Sequence, residues 1–190
     1  PLHMDGARLW QCPPAYNKSL AEIAALFDSI YVSFYKDMGG ISGACLVGDH
    51  DFIAEAKIWL RRAGGNLYSL YPYVVSAREG LKTHLPQMQQ RKDDAHWLAA
   101  QLNKVEGIST WPIVPHTSMF RLRVNANADD FLNRSIEWMR TRGICLIRTP
   151  YQTADNYLMA ELSIGDGFAQ LDRSEWQDAI DDFAKLVLKT

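Results

Sequence analysis

At 190 residues, with 47% hydrophobic and 22% charged residues, the chain has the composition of a packed globular protein and not of a disordered one. A formal net charge of -2 with both signs interspersed gives no basic field, so nucleic acid and anionic membrane are disfavoured as partners. Small molecules and proteins remain. No apolar run approaches the roughly 20 residues that cross a bilayer, and the first residues are not a cationic signal followed by an apolar stretch. Cys12, Cys45 and Cys145 are odd in number and far apart, with neither zinc nor CxxC spacing, which reads as reduced thiols in a cytoplasmic protein.

The chain opens on Pro1, and Leu2-His3-Met4 reads as a core strand without a lead-in, so it is expected to be part of something longer. Residues 1 to 75 alternate short strands (Leu2 to Met4, Ser29 to Phe34, Ser42 to Val47) with helical patterns. Ser19 and Glu22 form a capping box for one helix. Asp51 to Arg62 carries a helical stripe that stops at Gly64-Gly65. Strand, helix, strand predicts the end of an α/β sheet. A helix is expected to start near Pro72, and a mostly helical connection covers 76 to 106, broken near Pro86 and solvated over Gln87 to Asp94. Residues 107 to 190 read as a small α+β domain. Its strands are expected near Ser118 to Val124, Ile144 to Arg148 and Leu158 to Ile164, and its helices over Asp129 to Arg142 and Ser174 to Leu188. The last helix starts with acids and carries Lys185 and Lys189 in its final turn, as its dipole prefers.

Lys36 ends the apolar, β-prone run Asp28 to Tyr35 and is followed by a turn at Gly39-Gly40. A lysine there is either a surface charge or an amine delivered into a pocket. The first strand ends similarly, at Asp5-Gly6-Ala7-Arg8, so two strand ends offer a carboxylate and an amine to one place. Pyridoxal 5'-phosphate chemistry asks for that set: an amine that bonds the cofactor and exchanges with an amino-acid substrate, an acid that keeps the pyridine nitrogen protonated, and cations for the anionic groups. Lys36 and Asp5 supply the first two, and Arg8 can grip a carboxylate by two nitrogens. Each residue alone is ordinary, since lysines after strands are usually solvated and Asp-Gly is first a turn.

The wording as a whole is less common. His3-Met4-Asp5-Gly6-Ala7-Arg8-Leu9-Trp10, then SLAEIAALFDS over Ser19 to Ser29, a strand ending in Lys36-Asp37-Met38-Gly39, and GACLVG over Gly43 to Gly48 together resemble the threonine aldolase and β-eliminating lyase family. The resemblance covers most of residues 1 to 75. It implies a fold-type I pyridoxal phosphate enzyme: the C-terminal part of the large α/β domain over 1–75, a connecting helix over 76–106 and the small α+β domain over 107–190. Lys36 would carry the cofactor, Asp5 would face its ring nitrogen, and Arg8 would hold its ring oxygen or the substrate carboxylate. Ser33, three residues before the lysine, is a candidate phosphate ligand or a hydroxyl packed in a strand.

The chain departs from the family in two places. A Gly-Gly-Gly-Met-Arg-Gln segment is typical, whereas Gly64 to Ser69 puts Tyr68 where the arginine would be. The late strand that typically carries a carboxylate-binding arginine reads Tyr157-Leu158-Met159-Ala160-Glu161. Arg148 is the substitute candidate, with Tyr68 also lining the substrate side, and Arg61 and Arg62 could reach a neighbouring subunit's cofactor.

Two rivals stand beside this reading. Ser33-Phe34-Tyr35-Lys36 matches S-x-x-K of penicillin-recognising serine enzymes, but its companions are absent and the nearest wording is Lys82-Thr83-His84. A non-catalytic relic or fragment of the fold is the other, because the phosphate loop and the ring-stacking group belong to the N-terminal half of such enzymes. His3, His50, His84, His96 and His116 are all available as bases, and no spacing singles one out. The expectation is a lyase that cleaves the Cα–Cβ bond of a β-hydroxy amino acid to glycine and an aldehyde, or eliminates a β-substituent. It would work as a homodimer or homotetramer together with its N-terminal half, whether a separate chain or lost, and without metal.

Overall fold

The computed structural model describes residues 1–126, 128–148, 150–154 and 157–187, the side chains of 128, 129, 151–154, 186 and 187 excepted. They form two compact units, Pro1–Gln89 and Gln90–Thr190.

In the first unit β1 (His3–Asp5) lies parallel to β2 (Ser29–Ser33), which pairs antiparallel with β3 (Ala44–Gly48), in the order β1-β2-β3. Parallel neighbours need a crossover. It is made by α1 (Cys12–Tyr16), which starts on the prolines at 13 and 14, and by α2 (Leu20–Ala24). Proline is suited to a first helical turn because its missing N–H has no partner there. Asn17 closes α1 in the left-handed region at φ 53°, and the Ser19/Glu22 capping box opens α2 as expected. Leu9, Ile23, Ile30 and Val32 form the core of this layer, with Met4, Trp10, Leu20 and Phe27 packed against it.

Next come α3 (His50–Arg62), capped by the Asp49 side chain on the Phe52 N–H at 2.8 Å, and α4 (Tyr71–Thr83) with Pro72 in its first turn. The four residues Ala44 to Val47 of β3 are exposed, and no residue of α3 is buried. Between them lies an open apolar groove of about 830 Å³, lined by Leu46, Phe52, Trp59 and Leu60 among others.

The second unit carries an antiparallel sheet in the order β4-β5-β7-β6, from β4 (Ile108–Trp111), β5 (Met119–Val124), β6 (Tyr151–Ala154) and β7 (Tyr157–Ser163). Burial alternates along β4 and β5 and over most of β7, the signature of a sheet with one covered face. Side chains from α5 (Met88–Leu102), α6 (Ala128–Arg142) and α7 (Arg173–Val187) complete the core, where Phe183 meets Trp138 edge-on at 5.1 Å.

Two expectations are corrected, and one strand is added. The apolar run Ile144 to Arg148 is not a strand. Leu146 and Ile147 are buried as plugs in the core, so packing satisfies them without strand pairing, and the strand of that region is β6. The helical stretch is α4, a 3-10 turn at Leu85–Gln87 and α5, and its polar part is not solvated throughout: Arg91 pairs with Asp166 at 2.6 Å, and the buried Asp94 pairs with Arg173. Charges of that kind enter a core when a partner accompanies them, which a polarity pattern does not reveal. The strand β4 was not expected, being four residues long. Leu188 and Lys189 lie outside the described residues.

Candidate active site

Asp5 is the last residue of β1 and is in register with Tyr31 of β2. The chain then turns onto β2. The Gly6 N–H donates to the Tyr31 carbonyl at 2.8 Å, and a Cβ on Gly6 would stand 2.7 Å from that oxygen, so only glycine lets the turn lie this close. Within the turn the Asp5 carboxylate accepts from the Ala7 N–H at 3.3 Å, and Arg8 caps the 3-10 helix Leu9–Gln11. Trp10 donates from Nε1 to the Ser33 carbonyl at 2.8 Å and packs on Phe34, which fastens the far side of the turn to the end of β2.

Lys36 follows β2 by three residues and lies in a turn closed by the Gly39 N–H on the Lys36 carbonyl at 3.1 Å and the Gly40 N–H on the Phe34 carbonyl at 2.7 Å. Met38 is fully buried beneath it. Lys36 and Asp5 are exposed, and tyrosines stand near both. The Lys36 Nζ is 5.7 Å from the centre of the Tyr35 ring, the Tyr35 hydroxyl is 3.2 Å from that of Tyr31, and the Tyr31 phenol is near enough to Asp5 to feel its charge. The Tyr31 hydroxyl is held above its usual pKa, first by the hydrogen bond with Tyr35, then by partial burial and by the Tyr35 and Asp5 charges.

Arg8 faces Asp37, the residue after the lysine, with its Nε 3.8 Å from Oδ1. Gln11 donates to the same oxygen at 2.7 Å. The Cys12 thiol is pushed up by burial and then by the Asp37 charge. The Arg8 Nε is buried and has no hydrogen-bond acceptor among the described residues.

Asp5, Arg8 and Lys36 therefore come from the ends of two adjacent parallel strands. Ser33 is fully buried, and its hydroxyl donates to the Ala7 carbonyl at 2.7 Å, where it ties β2 to the Arg8 turn. The S-x-x-K alternative loses its geometry here, because Ser33 ends a strand, opens no helix and is shielded from solvent. Tyr68 is fully exposed in the segment between α3 and α4. Arg148 lies in the second unit, exposed, beside a groove of about 700 Å³ that Glu161 and Gln170 also line.

Among the histidines, His84 is packed against the lysine turn: a Cβ on Gly39 would stand 3.1 Å from its Nε2. Nothing in its spacing to Lys36 signals this, because α4 brings it back. His3 bonds Ser29 at 2.8 Å and His96 bonds the Pro115 carbonyl at 2.7 Å, so both have structural partners.

The fold is that of the C-terminal part of fold-type I pyridoxal phosphate enzymes, with the small α+β domain that follows it. The family model described as beta-eliminating lyase matches residues 1–126, and the chain belongs to that family. A crystal structure of a protein named as an aromatic amino acid β-eliminating lyase/threonine aldolase, from Exiguobacterium sp. 255-15, superposes with a TM-score of 0.93 at 40% identity, covering 97% of this chain and 52% of that one. One named as an L-allo-threonine aldolase, from Listeria monocytogenes EGD-E, gives 0.92 at 39%, covering 96% and 51%. The low specificity L-threonine aldolase of Escherichia coli (strain K12) is 30% identical over 149 residues, which are 78% of this chain and 43% of that protein. The chain thus spans about half the length of these relatives.

Proposed function

We propose that this chain is the lysine-bearing part of a pyridoxal-phosphate-dependent lyase that cleaves the Cα–Cβ bond of a β-hydroxy amino acid to glycine and an aldehyde. What supports the reading most is that Asp5, Arg8 and Lys36 lie at or within three residues of the ends of the adjacent parallel strands β1 and β2, in a chain of this family. The donor set fits the cofactor: an exposed amine for its aldehyde, an exposed carboxylate for its ring nitrogen, and a part-exposed guanidinium for an anionic oxygen. When bound, pyridoxal phosphate supplies an electron sink for the bond that breaks.

The chain's own residues would act around it. Lys36 would hold the cofactor by its amine. Asp5 would hold the proton at the ring nitrogen. Arg8 orients the ring oxygen or the substrate carboxylate, with Arg148 and Tyr68 as further candidates on the substrate side. Ser33 serves this site through its bond to the Ala7 carbonyl, in support of Arg8. His84 joins the base candidates through its place under the lysine turn. β-Elimination is the second reading, favoured by the description of the family model.

Residues 1–75 read as the end of the large domain, 76–106 as its connection and 107–190 as the small domain. The exposed apolar face of β3 and α3 supports an assembly in which a further half of the fold, or a neighbouring subunit of a homo-oligomer, covers it. Free Cys12, Cys45 and Cys145 fit a cytoplasmic protein.

The test mixes the chain with pyridoxal phosphate, alone and with the N-terminal half of a full-length relative, and follows the visible absorbance of the lysine-bound cofactor. The expected result is a band that Lys36→Ala abolishes, with glycine released from threonine or a phenylserine-like substrate. No band in either mixture would sink the lyase reading. A band without aldol cleavage but with release of a β-substituent decides for elimination.

A further inference from the structure

We infer that Asp37 is a positioning residue for Arg8: its carboxylate, held by Gln11, faces the Arg8 Nε and sets the plane in which the guanidinium presents its terminal nitrogens. The inference deepens the proposed cofactor site and rests on that reading for its functional half.

A carboxylate next to an exposed lysine in a turn would ordinarily be solvated. The Asp37 side chain is instead only 9% exposed, and Gln11, itself 3% exposed, donates to its Oδ1 at 2.7 Å. A buried acid of this kind is retained where charge and hydrogen bonds compensate it. The local fold supplies both. Arg8 caps the 3-10 helix Leu9–Gln11, and the Gln11 N–H donates to the Arg8 carbonyl at 3.1 Å. Side chains three apart in such a turn lie on one side, so Arg8 and Gln11 reach the same oxygen. The Cys12 thiol, raised by burial and by the Asp37 charge, marks that charge from a third direction.

The Arg8 side chain remains 36% exposed, which leaves its outer part accessible while the Nε side turns to Asp37. A guanidinium is planar, so orienting one edge orients the opposite fork that grips an anion by two nitrogens. Asp37 is joined to Lys36 by one peptide bond, so the same contact keeps the cation's turn in step with the lysine's turn.

The experiment measures exchange of the Arg8 Nε–H with water by nitrogen-15 NMR, its signal assigned by loss in Arg8→Lys, and the affinity for pyridoxal phosphate in the same proteins. Asp37→Asn keeps the shape and removes the charge. It is expected to speed the exchange about fivefold and to weaken the cofactor about fivefold, as an ion pair at the upper end of the exposed range implies. In an Arg8→Lys background it should change the affinity no further. If Asp37→Asn does not fold, Gln11→Leu should shift both quantities in the same direction. Unchanged exchange overturns the positioning, and so does an equal loss of affinity in the Arg8→Lys background. A wild-type chain that binds no cofactor sinks the lyase reading, while the exchange measurement still decides how Arg8 is held.

Discussion

The carbonyl of Met38 occupies the space that a side chain at Gly80 would need, 2.0 Å from where its Cβ would stand. The turn that carries Lys36 thus rests directly on the backbone of α4, and the Ile41 N–H donates to Ser76 Oγ of the same helix at 3.0 Å. Because the obstacle is backbone, it cannot swing aside as a side-chain tip would. Gly80→Ala is expected to destabilise the first unit by about 1–3 kcal/mol, in the range of overpacked cores, and to displace the lysine turn. Urea unfolding reads the first effect, and cofactor binding reads the second.

The Tyr31 hydroxyl offers a pH test. Its pKa is raised in the folded chain, foremost by the Tyr35 hydrogen bond. A raised pKa means that the folded state favours the protonated phenol. The resulting stability is present below the unfolded value of about 10 and is lost as pH rises through the folded one. Tyr35→Phe should lower the Tyr31 titration midpoint in a carbon-13 tyrosine NMR titration and flatten the loss of stability above pH ~10.

Helix α7 should show the opposite dependence. The Asp172 carboxyl is held below its usual range by the Glu175 backbone N–H at 2.9 Å and then by the Ser174 hydroxyl at 2.7 Å, while the Glu175 side chain bonds the Asp172 N–H in return. A depressed carboxyl contributes stability above its unfolded pKa of about 4, and that stability disappears as pH falls through the folded value. Asp172→Ala should therefore lower the urea midpoint at neutral pH and narrow the gap to wild type in acid.

Arg173→Met removes the cationic partner of Asp94, whose side chain is 11% exposed, and takes the guanidinium off the Trp97 ring, 4.4 Å from its centre. Gln90 still donates to Asp94 at 2.8 Å, so the expected loss is about 2 kcal/mol, below that of a fully orphaned buried charge. Asp94→Asn on the same background should recover part of it, measured by denaturant unfolding.

What was legible in the sequence is what depends on neighbours along the chain. The capping box at Ser19, the stripe of Asp51 to Arg62 and the strand runs near Ser118 to Val124 and Leu158 to Ile164 specify local structure through short-range hydrogen bonds and periodic burial. The wording around Asp5, Arg8 and Lys36 likewise pointed to a family, which the match over residues 1–126 bears out. Ile144 to Arg148 was misread because an apolar run can be satisfied by packing as well as by pairing, and only the surrounding helices decide which.

Relationships between distant residues needed the tertiary structure. The buried Arg91 and Asp94 look like a solvated helix face until Asp166 and Arg173 are brought to them. The approach of His84 to the lysine turn and the facing of Arg8 and Asp37 depend on how the turns after β1 and β2 fold back on α4 and on each other. The sequence by itself determined the kinds of groups available and the local elements that carry them. Only the packing of parallel strand ends decided which groups lie near one another, because proximity there is set by strand register and backbone close approach at Gly6 and Gly80.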